Sequence, residues 1–410
     1  MVFACQADSF LVEFSSKVVS CEEAELKVVS NGKKTTVKGY EVVLEDTILF
    51  PEGGGQPCDT GSLDGVPVLQ VTRRGAQAVH FVAAPLAVGA AVRQRLDWGR
   101  RLDHMQQHSG QHLISAIAEI EFGYATSSWW LGEEVSYIEL DTQSVKKEEM
   151  DRMEEIVNEK IRAATPVTVK VFEEGDPQLT ADRARGLPED HVGPVRVVTI
   201  QGVESNMCCG THVSNLSQLQ AIKLLHAEKG KKNKTNLHFL AGGRVLGALD
   251  RCLGRERQLT GVLKGGPSEH VLLADKLQKT LKMCNKNLQT VLKDLAVLEA
   301  EKLKRLNPSP KFYMLHRREA DSDFMSIFIN EVGNQSALLF LTVGDDKGAG
   351  QMVLHGEPSA VSALGPRICS VLGGRGAGKG PKFQAKVSNL GNRSEAEELI
   401  RKFFEETRDQ

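Results

Sequence analysis

The sequence predicts a multidomain α+β protein in four segments. Residues 1–97 read as a small β-barrel-like domain, 98–245 as an α+β domain, 246–306 as a helical, coiled-coil-like segment, and 307–410 as a small α/β domain. Three observations lead there. Turn signals punctuate short apolar runs as far as Trp98, helical periodicity takes over after it, and a 4-3 apolar repeat occupies the third segment.

In the first segment, Phe10 to Phe14, Tyr40 to Leu44 and Val66 to Val71 are separated by Asn31-Gly32, Gly53-Gly54-Gly55 and Asp64-Gly65. Short strands broken at this spacing fit a small barrel or sandwich. Between His108 and Ile120, the apolar residues Leu113, Ile114, Ile117 and Ile120 fall on one helical face. An extended run near Val135 to Leu140 follows, then an amphipathic helix over Lys146 to Arg162 with Met150, Met153, Ile156, Val157 and Ile161 on one side. Pro166 to Phe172 and Val195 to Ile200 read as strands. Further on, Leu277, Leu281, Cys284, Leu288, Val291, Leu295 and Leu298 form a heptad seam. It fits a coiled coil that could pair two chains, and equally one long surface helix or a hairpin within the chain. Pro308 and Pro310 end it. The last segment offers a strand at Ala337 to Val343 and a helix at Ser394 to Phe404.

Composition narrows the classes. Of 410 residues, 41% are hydrophobic and 25% charged, a globular rather than disordered profile. Lys plus Arg total 51 against 53 Asp plus Glu, so any nucleic-acid contact must come from local patches. No run approaches the ~18 apolar residues of a membrane span. No basic stretch followed by an apolar one marks a secretory leader. Eight cysteines dispersed over this length do not make a secreted disulfide framework. A cytoplasmic protein with reduced thiols is expected.

The sharpest signal is His108-Ser-Gly-Gln-His112 paired with Cys208-Cys-Gly-Thr-His212. Residues i and i+4 share a helix face, so His108 and His112 can reach one ion. Three imidazoles and a thiolate suit tetrahedral Zn²⁺. An HxxxH pair alone is more often two unrelated histidines; the second pair of equal spacing raises the case. Ser109 stands where the HExxH motif of a zinc protease needs its glutamate.

These paired motifs resemble those of alanyl-tRNA synthetase editing domains and of the free-standing AlaX family, in its long form. Phe50-Pro-Glu-Gly-Gly-Gly-Gln-Pro-Cys-Asp-Thr-Gly61 is similar to the glycine-rich motif before the editing core. Leu237-His-Phe-Leu-Ala-Gly-Gly-Arg244 resembles the strand and turn that close it, and Gly373-Gly-Arg-Gly-Ala-Gly-Lys-Gly380 the glycine-rich stretch of the synthetase C-terminal domain. The resemblance runs along nearly the whole chain in order. Cys209 departs from the family's usual Cys-Gly-Gly-Thr-His; the spacing picks Cys208 as the ligand with His108, His112 and His212, with a second thiol beside it. Only about 100 residues precede the editing core, too few for an aminoacylation domain.

The resemblance implies a zinc-dependent editing domain at 98–245 that deacylates mischarged tRNA(Ala): chiefly Ser-tRNA(Ala), with Gly-tRNA(Ala) as a second substrate, sparing Ala-tRNA(Ala). A pocket cannot strongly reject a smaller or near-isosteric amino acid, so a second sieve is needed. Zn²⁺ could polarise the ester, activate water or position the terminal adenosine. Four protein ligands close a tetrahedron, whereas catalysis wants an open position.

A serine-sensing group is expected near the metal helix, with Gln111, Thr126, Ser127 and Ser128 as candidates; the plainer reading is a helix cap and a turn cluster. Gly53, Gly54 and Gly55 would let backbone approach the acceptor end, or simply make a tight turn. Lys229, Lys231, Lys232 and Lys234 form one basic patch; Arg375, Lys379 and Lys382, with Arg367 and Lys386, form another free of acidic residues. Each patch is a phosphate-binding candidate or a solvated loop. The competing reading of the whole is a zinc-stabilised, non-catalytic tRNA-binding scaffold. A generic zinc peptidase comes third.

Overall fold

The computed structural model describes residues 2–30, 33–173, 176, 194–333 and 336–406. The expected turn at Asn31-Gly32 lies outside them. The chain mixes helices with several sheets and divides into two compact units, Met1–Arg257 and Gln258–Gln410.

In the first unit a short helix, α1 (Ala4–Ala7), precedes six strands: β1 (Glu13–Ser30), β2 (Lys33–Leu44), β3 (Gly61–Leu63), β4 (Val66–Arg74), β5 (Gln77–Val82) and β6 (Ala91–Leu96). They hydrogen-bond in the closed order β1-β2-β5-β4-β3-β6. Phe3, Val42, Leu49, Leu63, Val71 and Val82 fill the interior. The first strand starts at Glu13, later than the Phe10 that sequence suggested, and it runs far beyond Phe14 with a bulge between Val18 and Ser20. Its alternating acidic and apolar residues hid that length.

Helix α2 (Trp98–Phe122) begins where Asp97 accepts a hydrogen bond from the Arg100 amide, and ends at Gly123, whose positive φ of 70° only glycine adopts without strain. Next come β7 (Thr126–Leu131), β8 (Ser136–Leu140), α3 (Lys147–Arg162), β9 (Val167–Phe172), β10 (Val195–Ile200), β11 (Glu204–Met207), β12 (Ile222–Lys229) and β13 (Thr235–Ala241). Two sheets result: β11-β10-β9, and β12-β13-β8-β7. One face of the second sheet, with Leu131, Ile138, Leu237 and Phe239, packs into the same core as Leu113, Ile114 and Ile117 of α2 and Met153 and Val157 of α3. The helix carrying the histidine pair is thus clamped by packing, not left on the surface.

A buried ion pair ties the glycine-rich loop to that helix. Asp59 takes Arg101 Nε at 3.0 Å, and Arg101 also donates to the carbonyls of Ser9 and Ile48. Both side chains are fully buried. Burial pushes the Asp59 carboxyl up, while Arg101 and the Phe50 amide oppose the shift.

Helix α4 (Gly243–Leu263) contains the boundary between the units. The second unit holds α5 (His270–Lys304), β14 (Phe312–Arg317), α6 (Ser322–Val332), β15 (Leu338–Gly344), β16 (Gly350–His355), α7 (Pro358–Val371), β17 (Arg375–Lys379), β18 (Lys382–Val387) and α8 (Arg393–Glu406). Its sheet runs β14-β15-β16-β18-β17. Along β15 the side chains alternate: Leu338 and Phe340 join α7 and α8, Leu339 and Leu341 join α5 and α6. The heptad seam lies on α5, yet Leu277, Leu281, Leu288, Val291 and Leu298 are exposed; Leu292, Ala296, Ala300 and Leu303 turn to the core instead. No helix among the described residues is long and apolar enough to cross a membrane.

Candidate metal centre

The local structure around the histidine pair explains its convergence. His108 and His112 stand one turn apart on the buried part of α2, on a different side from Gly110, whose α-carbon approaches Ala241, Ile222 and Phe239 of the sheet. The turn after β11 brings Cys208 and His212 to the same place. The ligand atoms of His108, His112, Cys208 and His212 all lie within 4.8 Å of one another. Cys208 Sγ is 3.4 Å from His108 Nε2 and 3.1 Å from His212 Nε2.

Each ring is held through its other nitrogen. His108 Nδ1 lies 3.0 Å from Gln56 Oε1, an oxygen that also accepts the Thr211 amide, while Gln56 Nε2 donates to Thr211 Oγ1. An amide oxygen only accepts, so His108 carries its proton on Nδ1 and turns the Nε2 lone pair toward Cys208. By the same logic His112 Nδ1 donates to Glu204 Oε1 at 3.2 Å. His212 Nδ1 meets Ser109 Oγ at 3.0 Å, and Ser109 in turn accepts the Val213 amide. This is the arrangement that fixes tautomer and aim in metal-binding histidines. Neither Gln56, Glu204 nor Ser109 was predicted to take part. Gln56 stood inside the quoted glycine-rich motif, which was its one available signal.

The cluster's electrostatics pair a thiolate with a protonated His112, whose ring proton a bound metal would displace. Burial pushes the Cys208 thiol up, but His108 and His212 beside it, and a hydrogen bond from His112, hold it well below its ordinary value. Burial presses His112 down, yet Cys208 and Glu204 raise it to about 10; burial drives His212 down to about 3. The cluster therefore favours a thiolate, the form that ligates metal. Arg196 supports it from behind, donating to the carbonyls of Cys208 and Gly210, each at 2.7 Å.

Cys209 faces elsewhere. A Cβ on Gly54 would come within 2.8 Å of its sulfur, so Cys209 packs on the glycine loop, outside the cluster. Burial, with Cys208 next to it, raises its thiol. Gly210 leaves room for His108, whose ring would sit 2.3 Å from an added Cβ. Gly54 and Gly55 both have positive φ, and Gly55 lies against the indole of Trp129, which donates to the Gly54 carbonyl. The three glycines thus do more than form a turn: two make contact surfaces for Cys209 and Trp129.

The serine-sensing candidates separate into two groups. Gln111 Nε2 and Thr126 Oγ1 both donate to Ser115 Oγ, at 3.0 and 2.8 Å, and the buried Gln111 Oε1 has no hydrogen-bond partner among the described residues. Ser127 donates to Glu139 instead, and Ser128 also bonds that carboxylate. The plainer reading of Thr126 to Ser128 as a turn is corrected here: they open strand β7. Ser115 stands one turn after Gln111 on α2, at the same i, i+4 spacing as the histidine pair, and was not among the expected candidates.

Lys229, Lys231, Lys232 and Lys234 lie on and beside the β12–β13 hairpin, with Lys234 paired to Glu139. Arg375, Lys379 and Lys382 sit on the β17–β18 hairpin, where Arg375 opposes Lys386 and Lys379 opposes Lys382. Like charges thus stand directly opposite one another across these strands. Arg367 lies on α7.

The profile of the threonyl and alanyl tRNA synthetase second additional domain matches residues 195–240, which include Cys208 and His212. Alanyl-tRNA editing protein Aarsd1 of Mus musculus is 54% identical over 404 residues, 98% of both chains. Alanyl-tRNA editing protein Aarsd1-B of Xenopus laevis is 52% identical over 402 residues, again 98% of both. Alanyl-tRNA editing protein AlaX-M of Methanosarcina barkeri is 31% identical over 208 residues, 47% of this chain and 86% of that protein.

Proposed function

The chain belongs to the AlaX-like family of alanyl-tRNA editing proteins, and from that premise we propose that it is a trans-editing deacylase acting on mischarged tRNA(Ala). Its main substrate in this reading is Ser-tRNA(Ala), with Gly-tRNA(Ala) second and Ala-tRNA(Ala) spared. The observation that carries the proposal is the convergence of His108, His112, Cys208 and His212, whose ligand atoms lie within 4.8 Å.

The donor set fits Zn²⁺: three imidazole nitrogens and one thiolate, each ring braced through Nδ1. When bound there, zinc would supply a positive centre for the aminoacyl ester or for water. The remaining work belongs to the chain's own residues. Gln56, Ser109 and Glu204 hold the three rings in one tautomer and orientation. Gly54 and Gly55, with no side chains, let Cys209 and Trp129 pack against the loop that carries Gln56. Gln111 Oε1, buried and unpartnered, is the acceptor that the serine hydroxyl would satisfy, and Thr126 and Ser115 complete that polar wall. Alanine leaves the oxygen unsatisfied, and sites built this way discriminate by about 10⁴–10⁵.

The reading is tested by loading the purified chain with zinc and comparing it with His212→Ala on Ser-tRNA(Ala). Loss of free-serine release together with loss of one zinc per chain supports it. Unchanged release from the metal-free variant refutes it.

A further inference from the structure

The face of the β12-β13-β8-β7 sheet that turns away from α2 carries a row of rings. Trp130 on β7, Tyr137 on β8 and His238 on β13 are direct cross-strand neighbours, and His226 on β12 follows across a bulge. Centroid spacings along the row are 5.8, 5.4 and 4.5 Å. Trp130 is 56% exposed. The acidic groups on this face are engaged internally, Glu139 by Lys234 and Ser127, Glu228 by His238. Lys229, Lys231 and Lys232 make no ion pair among the described residues and stand exposed beyond the His226 end of the row, at the end of β12 and in the turn that follows it.

His226, Glu228 and His238 also lie close enough to suggest a metal. Ring geometry argues against it. Imidazole lone pairs lie in the ring plane, and two rings stacked 9° from parallel aim theirs side by side, not at one point. A free aromatic face flanked by unpaired cations is instead the chemistry of RNA recognition, with bases stacking on rings and phosphates meeting lysines.

We propose that this sheet face is an RNA-docking ridge, in which Trp130 stacks an unpaired base at one end and Lys229, Lys231 and Lys232 hold phosphates farther along the RNA at the other. The edge strand β7 places Trp129 at Gly54 and Gly55 and the next residue, Trp130, at the head of the row. An RNA strand passing this edge meets both. The occupant follows from the proposed function, which makes tRNA the partner, but the ridge is separate from the metal cluster.

The test uses the full chain and two probes: an RNA hairpin ending in a four-nucleotide 3′ overhang, and the same hairpin blunt. Trp130→Ala weakens binding of the overhang probe about tenfold to a hundredfold and leaves the blunt probe unchanged. Lys231→Ala and Lys232→Ala each weaken both probes and lower the salt slope by about one. Equal overhang affinity in Trp130→Ala and the parent chain overturns the ridge. So does a second equivalent of bound Zn²⁺ that His226→Ala removes without touching RNA affinity. Deacylation is measured on the same samples. A parent chain that binds the overhang through Trp130 yet hydrolyses nothing upholds the ridge and refutes the proposed function.

Discussion

Gln56 and His108 are 52 positions apart in sequence, yet the amide oxygen of one lies 3.0 Å from Nδ1 of the other. A glycine-rich loop and a helix that read as separate motifs are therefore one device, in which the loop aims the ring. Replacing Gln56 with Ala frees His108 to rotate and removes the acceptor of its Nδ1 proton. Zinc affinity is expected to fall about 10–100-fold. Competition against a chromophoric chelator checks this, with Gln56→Glu, which keeps an acceptor, recovering part of the loss.

The two neighbouring cysteines are expected to behave differently. Cys208→Ala removes a thiolate from the cluster and should abolish stoichiometric zinc; Cys209→Ala leaves the four ligand atoms in place and should retain it. Metal analysis of folded, monodisperse protein separates the cases. Zinc kept by the first variant and lost by the second would move the ligand to Cys209.

Much of this site was legible in sequence, and the limit has a physical cause. Ligand pairs at i and i+4 announce themselves because local geometry puts both on one side of a turn. The groups behind them do not, because Gln56, Ser109 and Glu204 arrive through tertiary packing at no fixed spacing. The same holds for the fold. The helix at 146–162 was placed within a few residues, and the periodicity over 108–120 marked a helix that in fact begins well before it, at Trp98, whereas β1 extends 18 residues through charged sequence that no apolar run marks. The heptad seam on α5 was legible as a pattern, but the buried residues of that helix lie one position off it at Leu292 and Ala296, where α6 and the sheet compete for the helix.

Arg101 and Asp59 anchor the loop that carries Gln56. Arg101→Met strips a fully buried carboxylate of its partner and leaves the Ser9 and Ile48 carbonyls without their donor. Stability should drop by about 3–5 kcal/mol. Urea unfolding of the metal-loaded chain measures it, and a loss under 1 kcal/mol would show that the pair does not anchor the loop.

Discrimination between amino acids is expected to depend on the polar wall formed by Gln111, Ser115 and Thr126. Thr126→Val removes one hydroxyl at nearly constant volume and breaks its bond to Ser115. The rate on the serine ester should fall roughly ten- to a hundredfold. Zinc content should stay unchanged, since no ligand is lost. Ser127→Ala and Ser128→Ala, which face Glu139, should leave the serine-to-alanine rate ratio intact.

The central claim is that the cluster built from α2 and the Cys208–His212 turn hydrolyses a misacylated tRNA. The most direct measurement incubates the zinc-loaded chain with Ser-tRNA(Ala) and, separately, Ala-tRNA(Ala), and follows the release of free amino acid over time. The account predicts rapid release of serine, little release of alanine, and loss of the serine reaction on chelation. A zinc-loaded, folded chain that binds tRNA but releases neither amino acid would contradict it and leave a tRNA-binding scaffold.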